Sequence, residues 1–210
     1  MRIAVIGSGR IGGTAARLFA EAGHEVTIAN SRGPETLTDI VDELGEGVRA
    51  ATVEDAASSA ELALVAIPFG HFRDLPAEAL TGKIVVDAMN YYPERDGHVR
   101  ELDEDTTTST ELLAAHLPGA RVVKAFNTMK SGNLSQRGSH GPLDERLVMF
   151  VAGDDHEAKQ RVSNLIEEIG FAPIDDGSLT EGGRRQQPGS SVYVKELKPG
   201  EARELLSQTG

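Results

Sequence analysis

The feature that most restricts this chain is Gly7-Ser8-Gly9-Arg10-Ile11-Gly12, a G-x-G-x-x-G that follows the apolar run Ile3-Ala4-Val5-Ile6. Behind it, Ile11, Ala15, Leu18, Phe19 and Ala22 recur at helical spacing, with Gly23 placed to end the helix. Strand, glycine turn and helix in that order form the opening of a dinucleotide-binding βαβ unit. Gly7 suits the tight turn, Gly9 admits a pyrophosphate to the backbone, and Gly12 lets helix and strand pack closely. The helix start adds unpaired N–H groups and the positive end of a dipole for the diphosphate.

The rest of the chain continues the rhythm. Strands are predicted at Arg2–Ile6, Glu25–Ala29, Val48–Ala51, Leu62–Ile67, Lys83–Asp87, Arg121–Ala125, Leu147–Ala152 and Ala172–Ile174, where β-branched and apolar residues cluster between turn signals. A second helical stripe, Ala158, Val162, Leu165, Ile166 and Ile169, ends at Gly170. Strand–helix alternation predicts an α/β, doubly wound Rossmann fold with a mainly parallel sheet. We expect a single NADP-binding Rossmann domain over residues 1–210, with a core at 1–176 and a C-terminal arm and helix at 177–210. Two segments break the pattern. Asn90–Thr108 reads as a long polar loop, and Gly182-Gly183-Arg184-Arg185-Gln186-Gln187-Pro188-Gly189 reads as an extended arm before a helix over Pro199–Leu206.

Composition narrows the function. There are 33 Asp and Glu against 21 Lys and Arg, a formal charge of −12. Such a surface disfavours nucleic acid and anionic membranes as partners. No Cys is present, which excludes disulfides, thiolate zinc sites and a cysteine nucleophile, and fits a cytoplasmic location. No apolar run approaches the length of a signal-peptide core or a membrane span. The six His show no H-x-x-x-H or H-E-x-x-H spacing, so no metal site is expected, and no G-x-S-x-G elbow is present.

The end of the second strand selects the dinucleotide. An NAD site usually has an Asp or Glu there to accept hydrogen bonds from the ribose hydroxyls. Here the sequence is Asn30-Ser31-Arg32-Gly33, with no carboxylate before Glu35. The Ser31 hydroxyl and the Arg32 guanidinium suit a 2′-phosphate, which predicts NADP(H); a cap at Ser31 with a solvated Arg32 is the structural alternative. Cofactor-binding candidates are therefore Gly7, Ser8, Gly9, Arg10, Ile11, Gly12, Asn30, Ser31 and Arg32. The strand-end positions Ala66, Ile67, Pro68, His71, Ala88, Asn90 and Asn127 extend the set. His71 and Asn127 are the catalytic candidates beside the nicotinamide, although a lone His at a helix start also reads as a solvated or capping residue. Thr108-Ser109-Thr110-Glu111 has the form of a capping box, and Asp154-Asp155 sits where a helix cap is needed.

Nearly the whole chain resembles the family of coenzyme F420-dependent NADP oxidoreductases (NADPH:deazaflavin reductases) and their bacterial relatives. The resemblance rests on Met1–Gly12, Asn30-Ser31-Arg32-Gly33, Ile67-Pro68, Val85–Asn90, Val122–Thr128, Ala152–Asp155 and Ile174–Gly177. Lys124–Thr128 is also similar to the reductase domain of the six-transmembrane epithelial antigen metalloreductases. The resemblance implies hydride transfer between NADPH and a deazaflavin (F420) or flavin-type acceptor stacked on the nicotinamide. Ser8, Gly9, Arg10 and Ile11 match the diphosphate loop, and Ser31 and Arg32 match the 2′-phosphate pair. Such transfer relies on alignment and exclusion of water more than on an acid or base. Archaeal members that use the deazaflavin tend to carry His-Thr where this chain has Asn127-Thr128, and an apolar helix where it has the Gly182–Gly189 arm.

Two other functions stay open. One is a reductase of a small imine or carbonyl substrate; such enzymes generally add a helical domain, for which the 41 residues after Ile169 are too few. The other is an NADPH-binding redox sensor without turnover, whose cofactor loop would look the same. The expected partner is a small-molecule redox acceptor, and the expected assembly is a homodimer.

Overall fold

A computed structural model describes residues 1–208. Among the described residues eight strands form a single sheet: β1 (Arg2–Ile6), β2 (Glu25–Ala29), β3 (Val48–Ala50), β4 (Leu62–Val65), β5 (Ile84–Asp87), β6 (Arg121–Lys124), β7 (Val148–Gly153) and β8 (Ala172–Asp175). Their order is β3-β2-β1-β4-β5-β6-β7-β8. Every neighbouring pair is parallel except β6 and β7. All eight therefore stand where the apolar clusters predict strands, with ends that shift by one or two residues. The order reverses direction at β1, which pairs with β2 on one side and β4 on the other; ligands of open α/β sheets collect in the crevice at such a point.

The strands are continuous apolar runs because both faces are covered. Ile3 and Val5 point into one core with Phe19 and Ala15 of α1 (Arg10–Glu21) and with Val162 and Leu165 of α9 (His156–Glu168). Ala4 and Ile6 point into the opposite core, with Ala56 of α3 (Val53–Ser59) and Leu113 of α7 (Ser109–His116). Successive side chains alternate between the two faces, as strand geometry requires. Side-chain caps set helix starts: Thr52 accepts from Asp55 N, Asp155 accepts from Ala158 N, and Thr108 with Glu111 completes a capping box. Helix α2 (Thr38–Leu44) follows β2, while α4 (Ala77–Leu80) precedes β5 and α8 (Ser131–Gln136) follows β6.

Two segments depart from the sequence expectations, and one strand takes a direction that a mainly parallel sheet leaves open. The antiparallel β7 does not show in its composition. Phe126, at φ +68°, turns the chain off the end of β6, and only Val123 and Lys124 pair with β7, opposite Gly153 and Ala152. The segment read as a loop contains two short helices, α5 (Pro93–Asp96) and α6 (Arg100–Asp103). The supposed extended arm instead folds back as α10 (Glu181–Arg185), then turns and ends in α11 (Pro199–Gln208); Thr209 and Gly210 lie outside the described residues. A Cβ on Gly182 would stand 2.4 Å from the Asp176 carbonyl oxygen and 2.5 Å from Ala152 Cβ. Its glycine thus serves close helix–sheet contact rather than an extended chain. Arg185 donates to Asp176 Oδ1 at 2.7 Å, and Ala202 of α11 joins Val192 on Val148, Phe150, Ala172 and Ile174. Beyond these, β8 closes the sheet as an edge strand and carries Pro173.

At the carboxyl ends of β5 and β6 lies a buried ion pair. Lys124 Nζ donates to Asp87 Oδ2 at 3.0 Å and to the Met89 carbonyl at 2.6 Å. Asp87 also accepts from Thr110 Oγ1 (2.7 Å) and Met89 N (2.9 Å). Removing one partner from such a pair leaves a buried charge without compensation. Lys124→Met should therefore lower unfolding stability by about 3–5 kcal/mol, read as a fall in the urea midpoint; a loss below about 1 kcal/mol would show that the pair is dispensable.

Candidate functional site

The glycine turn is locked from both sides. Gly7 N donates to the Ala29 carbonyl at 2.8 Å, and Ala66 N donates to the Ile6 carbonyl at 2.8 Å, so the turn sits between the ends of β2 and β4. Gly7 has φ +115°, and a Cβ there would stand 2.3 Å from the Ala66 carbonyl oxygen. A Cβ on Gly12 would meet the Gly7 carbonyl oxygen at 1.8 Å, so α1 begins directly over the turn. Gly9 differs: no atom lies within 4 Å of its would-be Cβ. As the N-cap of α1 it offers no side chain to the first-turn N–H groups, and that turn has no acidic residue. The position that a diphosphate would approach is open, and the field there favours an anion.

This loop forms one wall of a cavity of about 380 Å3. Gly7, Ser8 and Gly9 face Asn30, Ser31 and Arg32 from the end of β2. Ala66, Ile67, Pro68 and His71 come from the end of β4, and Ile6, Val53, Asp74 and Leu75 complete the lining. Asn30 ties the walls together: its Nδ2 donates to Ser8 Oγ at 3.2 Å and to Thr36 Oγ1 at 3.0 Å, and its Oδ1 accepts from Arg32 N at 2.9 Å. Among the described residues the guanidinium groups of Arg10 and Arg32 have no hydrogen-bond or ion-pair partner. His71 is exposed, with Nδ1 3.1 Å from Asp74 Oδ2.

Ten of the sequence-predicted residues meet in this cavity: Gly7, Ser8, Gly9, Asn30, Ser31, Arg32, Ala66, Ile67, Pro68 and His71. Arg10 lies just outside, on an adjoining depression with Ser8 and Gly9. Ile11 packs on the core, and Gly12 is buried beneath the turn. Ala88, Asn90 and Asn127 do not line it. Asn90 Nδ2 donates to the Asn127 carbonyl (2.9 Å), and Asn127 Nδ2 donates to Asn90 Oδ1 (3.1 Å) and to the Gln186 carbonyl (2.7 Å). Asn127 is thus buried under the turn that follows α10, and its Oδ1, like Gln186 Oε1, has no partner among the described residues. That covering has a second fastening, a short hydrogen bond between the hydroxyls of Tyr92 and Tyr193. Burial, with this contact, pushes the Tyr193 hydroxyl well above its ordinary pKa. Sequence reasoning missed Val53 and Leu75, which look like any core residue. It also missed Gln186, whose polar surroundings gave no sign of burial.

Residues 2–91 match the sequence profile described as NADP oxidoreductase coenzyme F420-dependent. The whole chain is similar to a candidate F420-dependent NADP reductase from Arthrobacter sp. FB24, 29% identical, covering 100% of this chain and 91% of that one with a TM-score of 0.73. These matches support membership of the coenzyme F420-dependent NADP oxidoreductase family. A hypothetical protein, SMa0349, from Sinorhizobium meliloti is also similar, at 35% identity and a TM-score of 0.83 over 94% of this chain and 95% of its own. Metalloreductase STEAP3 of Rattus norvegicus is 32% identical over 180 residues, which are 85% of this chain and 34% of the relative. The chain thus spans about a third of the length of the curated relatives it matches. The chain has the Rossmann-like α/β fold of NADP-dependent oxidoreductases. Among the described residues no helix is long and apolar enough to cross a membrane.

The two loop glycines should separate cleanly on substitution. Gly7→Ala, with a positive φ and a backbone collision, should cost at least about 2–3 kcal/mol of stability. Gly9→Ala should stay within about 0.5 kcal/mol. Chemical denaturation of both variants reads the contrast; equal losses would mean that the turn is not the rigid element.

Proposed function

We propose that the protein transfers hydride between NADP(H) and a small redox acceptor of the deazaflavin or flavin type. The observation that carries the reading is one cavity in which the open Gly9 position and the uncapped start of α1 face Ser31 and the unpaired Arg32. An anion at the helix start and a second anion 2′ on the adenosine ribose fit this pair of donor sets.

In this reading Gly7–Ile11 hold the diphosphate, and Ser31 and Arg32 hold the 2′-phosphate by hydrogen bonds and charge. Val53 and Leu75 share the cavity with Arg32, so they flank the adenine, and His71 stands at that adenosine end. This argues for His71 as a binding residue rather than a proton carrier at the nicotinamide. Ile67 and Pro68 carry the wall onward toward Ala88, Asn90 and Asn127, which we assign to the nicotinamide end. Bound NADPH supplies the hydride from its nicotinamide. The chain's own contribution is to orient that ring and exclude water around it.

A second reading, an NADPH sensor without turnover, draws support from the cover over Asn127. Nicotinamide reaching that residue would have to displace Gln186, which gives the C-terminal segment a cofactor-dependent position.

Turnover separates the two. Anaerobic mixing of protein, NADPH and coenzyme F420, with free flavin in parallel, should bleach the oxidised deazaflavin or flavin. Intact NADPH binding with no reduction of either would favour the sensor. The cofactor assignment has its own check: Arg32→Ala should weaken NADPH binding by about 1.5–3 kcal/mol and leave NADH nearly unchanged by calorimetry. Equal losses for both would place the 2′-phosphate elsewhere.

A further inference from the structure

Thr36, which lies outside the glycine loop and outside the Ser31-Arg32 pair, completes a closed hydrogen-bond circuit behind the cavity wall. Its Oγ1 donates to the Gly33 carbonyl at 2.8 Å and accepts from Asn30 Nδ2 at 3.0 Å. The second Asn30 amide hydrogen goes to Ser8 Oγ, and Asn30 Oδ1 takes the Arg32 backbone N–H. Both amide hydrogens are thus engaged, and of the two lone pairs on Asn30 Oδ1 one takes the Arg32 N–H while the other faces Thr36 Oγ1 at 3.3 Å.

Three consequences follow for what the wall offers a ligand. First, Asn30 occupies the position where an NAD site places its carboxylate, yet its oxygen is already committed and is poorly available to a ribose hydroxyl. Second, Ser8 accepts from Asn30, so the Ser8 hydroxyl hydrogen is left to point at a ligand. Third, the turn is held so that Arg32 stays unpaired. The next carboxylate along the chain, Glu35, packs against Gly33: a Cβ there, at φ +98°, would lie 2.4 Å from Glu35 Oε1. Glu35 does not line the cavity.

We propose that Thr36 and Asn30 are positioning residues that set dinucleotide selectivity, by turning this lip into a surface of donors with its acceptors withdrawn. A 2′-phosphate, which takes donors only, is favoured; a free 2′-hydroxyl, whose own hydrogen finds no acceptor there, is not. Selectivity then has a repulsive part as well as an attractive one. The inference rests on the NADP(H) reading above.

The test uses the adenosine half of the cofactor alone, 2′,5′-ADP against 5′-AMP, titrated calorimetrically into the full chain. Wild type should prefer 2′,5′-ADP. Thr36→Val, which keeps the shape and removes the hydroxyl, should weaken 2′,5′-ADP by about tenfold and leave 5′-AMP within about twofold. Thr36→Ser should restore the preference. Asn30→Asp, which supplies a carboxylate, should shift the preference toward 5′-AMP. Thr36 is exposed, so these variants should fold, as circular dichroism checks. An unchanged 2′,5′-ADP affinity in Thr36→Val, or an equal loss for both ligands, overturns the inference while the NADP(H) reading stands. A wild type that binds 2′,5′-ADP no better than 5′-AMP overturns both.

Discussion

The buried contact between Lys124 and Asp87 is the constraint on which the carboxyl end of the sheet depends. Strand register sets the two residues side by side at the last positions of β5 and β6. With Thr110 and the Met89 backbone, their charges and hydrogen bonds are satisfied inside the protein. An apolar pair of similar volume could serve stability as well. What the ion pair adds is a defined path for the chain beyond the strands: Met89 is held by both its N–H and its carbonyl, and Asn90 follows at once. The Asn90–Asn127 contact is built on that fixed turn, and the C-terminal cover is built on Asn127.

Much of this was legible in the chain itself, for a physical reason. Strands covered on both faces must be apolar without interruption, so Ile3–Ile6 and Val148–Ala152 announce themselves. Glycine spacing in the loop is equally readable, because each position answers to a collision that any Cβ would cause or a space that it would fill. What stayed hidden depends on contacts between distant parts. Gly182-Gly183-Arg184-Arg185 has the composition of a solvated arm, and only the approach of Ala152 and Asp176 explains its glycines. Asn127 sits at a strand end, as ligand-facing residues do, but its cover comes from Gln186, 59 residues later. Lys124 and Asp87 are charges at the ends of apolar strands, which buried pairing makes meaningful only once β5 and β6 are known to be neighbours.

The site also separates two kinds of recognition. In the proposed reading the adenosine half is preformed: an open groove, a locked turn, and cationic groups left unpaired among the described residues of a chain whose formal charge is −12. Local donors there must outweigh a repulsive overall field, which makes unpaired Arg10 and Arg32 more informative than they would be on a basic protein. The proposed far half is closed by its own polypeptide, with amide oxygens of Asn127 and Gln186 lacking partners among the described residues. Buried acceptors without donors are costly, so that end is poised to exchange internal contacts for others.

The edge of the sheet bears on how copies of the chain can meet. A strand added beyond β8 would find Pro173, which has no N–H to give, midway along its partner, and α11 already occupies one face of that edge. At the other end β3 offers only three residues. Neither border provides a long row of free backbone groups, so continuous sheet extension is a poor route to assembly and a poor seed for aggregation. Any association between copies is left to side chains on the helical faces, where its strength can change by substitution without disturbing the sheet.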